Sequence, residues 1–154
     1  MDLILWRHAE VLEPKEGEES YDQPLTRKGE RQAQRMAKWL NQQLPESTRI
    51  FASPARCAVQ TATALDRKFR TQPAFGPIGT VESLMIAARW PDAREPVLVV
   101  GHQPLLGLVA AYLLCGQGAQ AWSVRKGAAW WLRGRERAGE FQVTLHAAVS
   151  PELV

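Results

Sequence analysis

At 154 residues, 45% hydrophobic and 23% charged, the chain has the size and apolar content of a single globular domain spanning residues 1–154. Its formal charge of +3 favours an anionic ligand only slightly and falls well short of a nucleic-acid-binding balance. Two scattered cysteines, Cys57 and Cys115, exclude a disulfide framework, and no apolar run is long enough to cross a bilayer.

The first apolar run, Leu3 to Trp6, reads as a buried strand that ends on Arg7 and His8. It is too short for a secretory signal, so the chain is expected to be cytoplasmic, with reduced thiols. Within a strand Arg7 and His8 would point to opposite faces, so they converge on one ligand only if the backbone turns there. Glu13 to Asp22 is acidic, holds Pro14 and Gly17, and reads as an exposed loop. Thr26 is the expected N-cap of a helix in which Ala33, Met36, Ala37 and Leu40 recur on one face, ending before Pro45. Gly29 falls early in that helix, where its propensity cost is more easily borne.

Arg49 to Ala52 is a second short strand. It delivers Ser53-Pro54-Ala55-Arg56, read as a helix start with Ser53 as N-cap and Pro54 at the first helical position. A Pro/Gly-rich segment from Gln72 to Gly79 follows, with a short strand expected near Ala74-Phe75, then a short helix from Glu82 to Trp90 closed by Pro91. Pro96 to Val100 is the clearest buried strand, and it runs into Gly101-His102-Gln103. Pro104 then opens an apolar helix through Leu114, and Cys115 to Ala121 reads as a Gly-rich turn. Strands at Ala128 to Arg133 and Phe141 to Ala147 flank Gly134 to Gly139 as an antiparallel hairpin. Strands alternating with helices, then a hairpin, predict a three-layer α/β/α sandwich with a mostly parallel central sheet.

In an open α/β sheet, ligand sites collect at the carboxyl ends of the strands. Three strand ends here carry groups of one chemical kind: Arg7-His8, Ser53 to Arg56, and Gly101-His102. Parallel strands would bring them to one edge, where two guanidinium groups, two imidazoles and two helix N-termini suit a tetrahedral dianion. Arg7-His8-Ala9, Pro24-Leu25-Thr26 with Gly29, Ser53-Pro54-Ala55-Arg56 with Thr61, and Gly101-His102 together resemble the histidine phosphatase superfamily, with the motifs in its order. The short length and simple layout are most similar to the SixA-type protein phosphohistidine phosphatases. The resemblance implies that His8 is the nucleophile, that Arg7 and Arg56 hold the phosphoryl group, and that His102 contacts it. Ala9 departs from the pattern, which usually has glycine there.

These residue types fit that chemistry. Histidine attacks phosphorus through a neutral ring nitrogen, so its other nitrogen should carry a proton held by an acceptor. Arg7 beside it disfavours the imidazolium. Phosphoryl transfer is mostly positioning and charge stabilisation, which the arginines and His102 can supply with no metal or cofactor. A phosphate ester would also need a general acid for its leaving alkoxide. The sequence candidates are Glu82, which also suits the first turn of a helix, and Glu10, which is expected to face the acidic loop. An acid that is hard to place, on a chain without long insertions, fits a phosphoramidate substrate. The implied partner is therefore a protein carrying phosphohistidine. A small phosphorylated substrate of a phosphomonoesterase or mutase is the alternative, and a non-catalytic phosphate-binding module the third reading. Nucleic acid and membrane are not expected partners, and the oligomeric state is left open.

Other signals carry less. His8, His102 and His146 lack the spacing of a zinc site. Thr63 stands where a cysteine-phosphatase loop beginning at Cys57 would need arginine. Gly116 to Ala121 resembles a dinucleotide fingerprint on paper but follows a helix instead of a strand. The aromatic and basic run from Trp122 to Arg137 reads as a charged hairpin with half its side chains in the core.

Overall fold

The computed structural model describes residues 1–116 and 120–154. Its strands are β1 (Asp2–Arg7), β2 (Arg49–Ala52), β3 (Arg70–Thr71), β4 (Val97–Gly101), β5 (Ala129–Arg137) and β6 (Glu140–Val149). Its helices are α1 (Arg27–Gln43), α2 (Arg56–Thr63), α3 (Val81–Ala88) and α4 (Leu105–Cys115). The sheet order is β3-β2-β4-β1-β5-β6, with β3, β2, β4 and β1 parallel, β5 antiparallel to β1 and β6 antiparallel to β5.

The period-two pleat divides the core between the two faces of this sheet. Leu3, Leu5, Phe51, Val97, Val99 and Leu132 point to one side, against Leu84 and Ala88 of α3 and Leu106, Val109 and Ala110 of α4. Ile4, Trp6, Ile50, Ala52, Leu98, Val100 and Trp131 point to the other, against Met36, Ala37 and Leu40 of α1 and Ala58 and Ala62 of α2. The chain moves outward from β1 to β3 through α1 and α2 on one face and returns through α3 and α4 on the other. The three-layer α/β/α sandwich is therefore present, with the terminal hairpin extending one side.

Local signals explain the helix ends. Thr26 caps α1, its hydroxyl accepting the Gly29 N–H at 2.9 Å. Thr80 and Ser83 form a reciprocal capping box at the start of α3. The reason for Gly29 is packing, not propensity: a Cβ there would sit inside the van der Waals shell of the Glu10 carbonyl oxygen. Overpacking typically costs about 1–3 kcal/mol, and a backbone oxygen cannot rotate away. That outweighs the roughly 1 kcal/mol of helix propensity that alanine adds. Gly29→Ala is expected to lower Tm; an unchanged or higher Tm would contradict this.

The structure corrects several local expectations. Ser53 is not the N-cap of α2. That helix begins two residues later with Ala55 in the cap position, and the Ser53 hydroxyl accepts the Ala55 N–H at 3.1 Å. No strand forms at Ala74-Phe75. Pro73–Phe75 is a 3-10 turn that buries Phe75 against Phe51, and the short strand is Arg70–Thr71. The hairpin is longer than expected, with only Ala138 and Gly139 in its turn (φ 52° and 80°), the conformation that matches strand twist. Gly134 lies within β5, against the Phe141 and Trp90 rings. Of the Gly116 to Ala121 segment, Gln117, Gly118 and Ala119 lie outside the described residues. No helix among the described residues is long and apolar enough to cross a membrane.

Candidate active site

The register of the central strands assembles the site. Arg7 of β1 pairs with Gly101 of β4, and Ala52 of β2 with Val100, so the residues that follow emerge at one level of the sheet edge. The His8 N–H donates to the Gly101 carbonyl at 3.0 Å and the Ser53 N–H to the Val100 carbonyl at 2.9 Å. His8 and His102 consequently stand side by side, their ring centroids 5.1 Å apart.

β1 ends at Arg7, as convergence of Arg7 and His8 requires, and three contacts set the turn. The Ala9 N–H donates to the Thr61 hydroxyl at 3.1 Å, which in turn donates to the Cys57 carbonyl at 2.8 Å. Nδ1 of His8 lies 2.8 Å from the Ala9 carbonyl. A carbonyl can only accept, so Nδ1 carries the proton and Nε2 keeps its lone pair. The Ala9 methyl is accommodated in a small apolar cluster with Leu25, Ala33, Ala55 and Cys57.

Electrostatics hold both rings neutral. Burial lowers the His8 pKa to about 4, with Arg7 and Lys126 adding to the effect. His102 is also lowered to about 4, by burial and then by His8 and Arg7. Its Nε2 lies 2.7 Å from the Ser53 hydroxyl. In the unfolded chain both imidazoles take up protons near 6.5, whereas the folded protein resists until about 4. The unfolded state therefore binds more protons between those values, and stability is lost as pH falls through that window. A Tm measured from pH 7 downward should decline across it, and replacing His102 by Gln should flatten the decline. A Tm independent of pH there would contradict the buried neutral pair.

Arg7, His8, Val11, Ser20, Tyr21, Pro77, His102, Gln103 and Lys126 line a cleft of about 340 Å³. A larger, more open groove of about 940 Å³ between α1 and α2 contains neither histidine. The Arg7 guanidinium donates through Nη1 to the Val124 carbonyl at 2.9 Å, while its buried Nε has no partner among the described residues. That contact belongs to a clamp on the segment Trp122–Ala128. Gln103 donates to the Trp122 carbonyl at 2.7 Å, Trp6 Nε1 to the Gly127 carbonyl at 2.9 Å, and the Gly127 N–H to the His8 carbonyl at 3.0 Å. The clamp brings Lys126 to the cleft.

The structure thus brings together Arg7, His8 and His102. Arg56 is exposed at the first residue of α2 and lies outside the cleft lining. Neither candidate acid lines the cleft. Glu10 does not face the acidic loop but accepts the Thr26 hydroxyl at 2.8 Å at the start of α1. Glu82 is exposed in the first turn of α3. His146 lies on β6 against Trp131, away from the pair. Sequence reasoning missed Lys126, Gln103, Ser20 and Tyr21 as cleft residues. Gln103 had a signal, since it follows His102 directly. It also missed Cys57, which is buried, whose thiol is pushed up to about 11 by burial, and which reaches the histidine pair.

Comparison with known proteins bears on the family and the fold. Residues 3–77, which carry Arg7, His8, Arg56 and Thr61, match the profile of the histidine phosphatase superfamily (branch 1). An uncharacterized protein of Picosynechococcus sp. is 32% identical over 135 residues, covering 82% of this chain and 81% of its own. The protein histidine phosphatase SixA complexed with tungstate superposes with a TM-score of 0.81 at 24% identity, over 99% of both chains. A mutant phosphoserine phosphatase from Entamoeba histolytica, in complex with phosphoserine, gives 0.70 at 14% identity over 98% of both. At these identities the structural likenesses establish the fold.

Proposed function

The chain belongs to the histidine phosphatase superfamily, and from that premise we propose that it is a metal-independent phosphatase acting on phosphohistidine in a protein. The observation that carries the proposal is the His8 tautomer. With Nδ1–H tied to the Ala9 carbonyl, Nε2 is a neutral nucleophile beside a second neutral imidazole and two cations. In the first step Nε2 attacks phosphorus in line while the bond from phosphorus to the substrate nitrogen breaks. The leaving imidazole departs neutral because its other nitrogen is already protonated. In the second step water attacks phospho-His8, releasing inorganic phosphate and restoring the neutral ring. Arg7 and Lys126 supply the positive field, and a phosphoryl oxygen would give the Arg7 guanidinium a partner it lacks. Arg56 fits as a phosphate ligand only if its exposed side chain swings over the bound anion from the start of α2.

The substrate preference rests on the carboxylates. Glu10 is committed to Thr26 and Glu82 is exposed on α3, so among the described residues no carboxylate lines the cleft to protonate an alkoxide. A phosphoramidate needs none. The second reading, a phosphomonoesterase, is favoured by the shared fold with a phosphoserine phosphatase. The test is turnover of a phosphohistidine-bearing protein against phosphoserine, sugar phosphates and p-nitrophenyl phosphate, with and without EDTA. The phosphohistidine protein should be hydrolysed fastest, at a rate EDTA leaves unchanged. Faster turnover of an ester would select the phosphomonoesterase. Activity lost to EDTA and restored by a metal would refute the mechanism.

A further inference from the structure

Cys57 has no part in this chemistry, yet it completes a set of metal donors. One ligand atom each from His8, Cys57 and His102 lie within 4.8 Å of one another, and all three residues are buried. The residues come from β1, α2 and β4, so sequence spacing gives no sign of the set. We propose that His8, Cys57 and His102 form a site for zinc whose occupancy blocks the nucleophile. The donor types are those zinc takes in open sites: imidazole nitrogen and thiolate, three from the protein and a fourth from water or an anion. At ordinary zinc–nitrogen and zinc–sulfur lengths, the three tetrahedral donors would stand about 3.3–3.6 Å apart. The separations seen here lie within 4.8 Å, the range from which such a site is assembled.

The surroundings also suit the ion. Each imidazole has one nitrogen engaged, Nδ1 of His8 by the Ala9 carbonyl and Nε2 of His102 by the Ser53 hydroxyl, and the other without a protein partner among the described residues. Such outer contacts orient ligating histidines. The Cys57 sulfur lies 3.8 Å from the Tyr21 carbonyl and is in no disulfide. On binding, the S–H bond breaks, its proton passes to solvent, and a zinc–thiolate bond forms with no change of oxidation state. Arg7 and Lys126 oppose a dication, and the thiolate offsets one of its charges. The ion would take the Nε2 lone pair that attacks phosphorus, so a bound zinc and a phosphorylated His8 exclude each other.

The inhibitory role rests on the proposed function; the site itself does not. Zinc chloride titrated into the intact protein by calorimetry should show one strong site. Cobalt in its place should give the near-ultraviolet charge-transfer band of a cobalt–thiolate bond. Cys57→Ala should lose the band and bind zinc at least ~10–100-fold more weakly, the cost typical of losing even an outer contact to a metal ligand. Cys115→Ala, altered at an exposed cysteine elsewhere, should keep both. Cys57→Ala should retain its Tm within a few degrees and its metal-free phosphatase rate, while zinc inhibition is relieved. Equal zinc affinity in wild type and Cys57→Ala, or a cobalt complex without the thiolate band, overturns the site. Zinc bound through Cys57 in a protein that hydrolyses no phosphoryl compound leaves the site standing and removes the phosphatase reading.

Discussion

Replacing His8 by alanine is expected to abolish turnover and the covalent intermediate together. The fall in kcat should approach about 10⁶, the scale seen when a covalent catalyst loses its nucleophile. Neither described neighbour replaces it in place: the His102 ring is fixed through Ser53 with its centroid 5.1 Å from that of His8, and Cys57 is a buried thiol held in its protonated form. The variant should still fold, because the helices and sheet pack on Trp6, Val100 and their neighbours and not on the imidazole. Circular dichroism and Tm check the fold; single-turnover kinetics check the chemistry. A variant that folds and keeps within about tenfold of wild-type kcat would contradict the assignment.

His102→Ala is expected to have the second-largest effect, and a different one. The residue stands beside His8, ring centroids 5.1 Å apart, and contacts the Ser53 hydroxyl, so under the proposed mechanism its loss would remove a transition-state contact and loosen the loop after β2. Loss of one such contact typically costs ~10²–10³ in rate. The phosphoenzyme should still form, slowly, because the His8 tautomer depends on Ala9 and not on His102. A His102 variant that never acquires label, beside a His8 variant that does, would reverse the roles.

The sequence made the strand-end groups visible because an apolar run that stops on charged or ring-bearing residues marks both a buried strand and its mouth. Leu3 to Trp6 and Val97 to Val100 are such runs, and parallel pairing then puts Arg7, His8 and His102 at one edge. What a single sequence could not show is how distant backbone is pinned to that edge. Lys126 sits in a run of aromatic and basic residues that looks like an ordinary charged hairpin. It reaches the cleft because Gln103, Arg7 and Trp6 hold Trp122–Ala128 against β1. Ser53 departs from its expected capping role for a related reason: proline after serine signals a helix start, but tertiary contact with His102 takes the hydroxyl and the helix begins later. Gly134 read as a turn residue, whereas ring packing accounts for it inside a strand. Cys57 joins the histidines only through α2 packing beside the Ala9 turn, a relation no spacing rule encodes.

The most direct measurement is to trap the enzyme during turnover of a phosphorus-labelled substrate, quench under denaturing conditions, and locate the label by peptide mapping. The geometry of Nε2, left free by the Ala9 contact, predicts an acid-labile, base-stable phosphoryl group on His8. Label on His102 or Cys57, or steady turnover with no labelled enzyme, would contradict it.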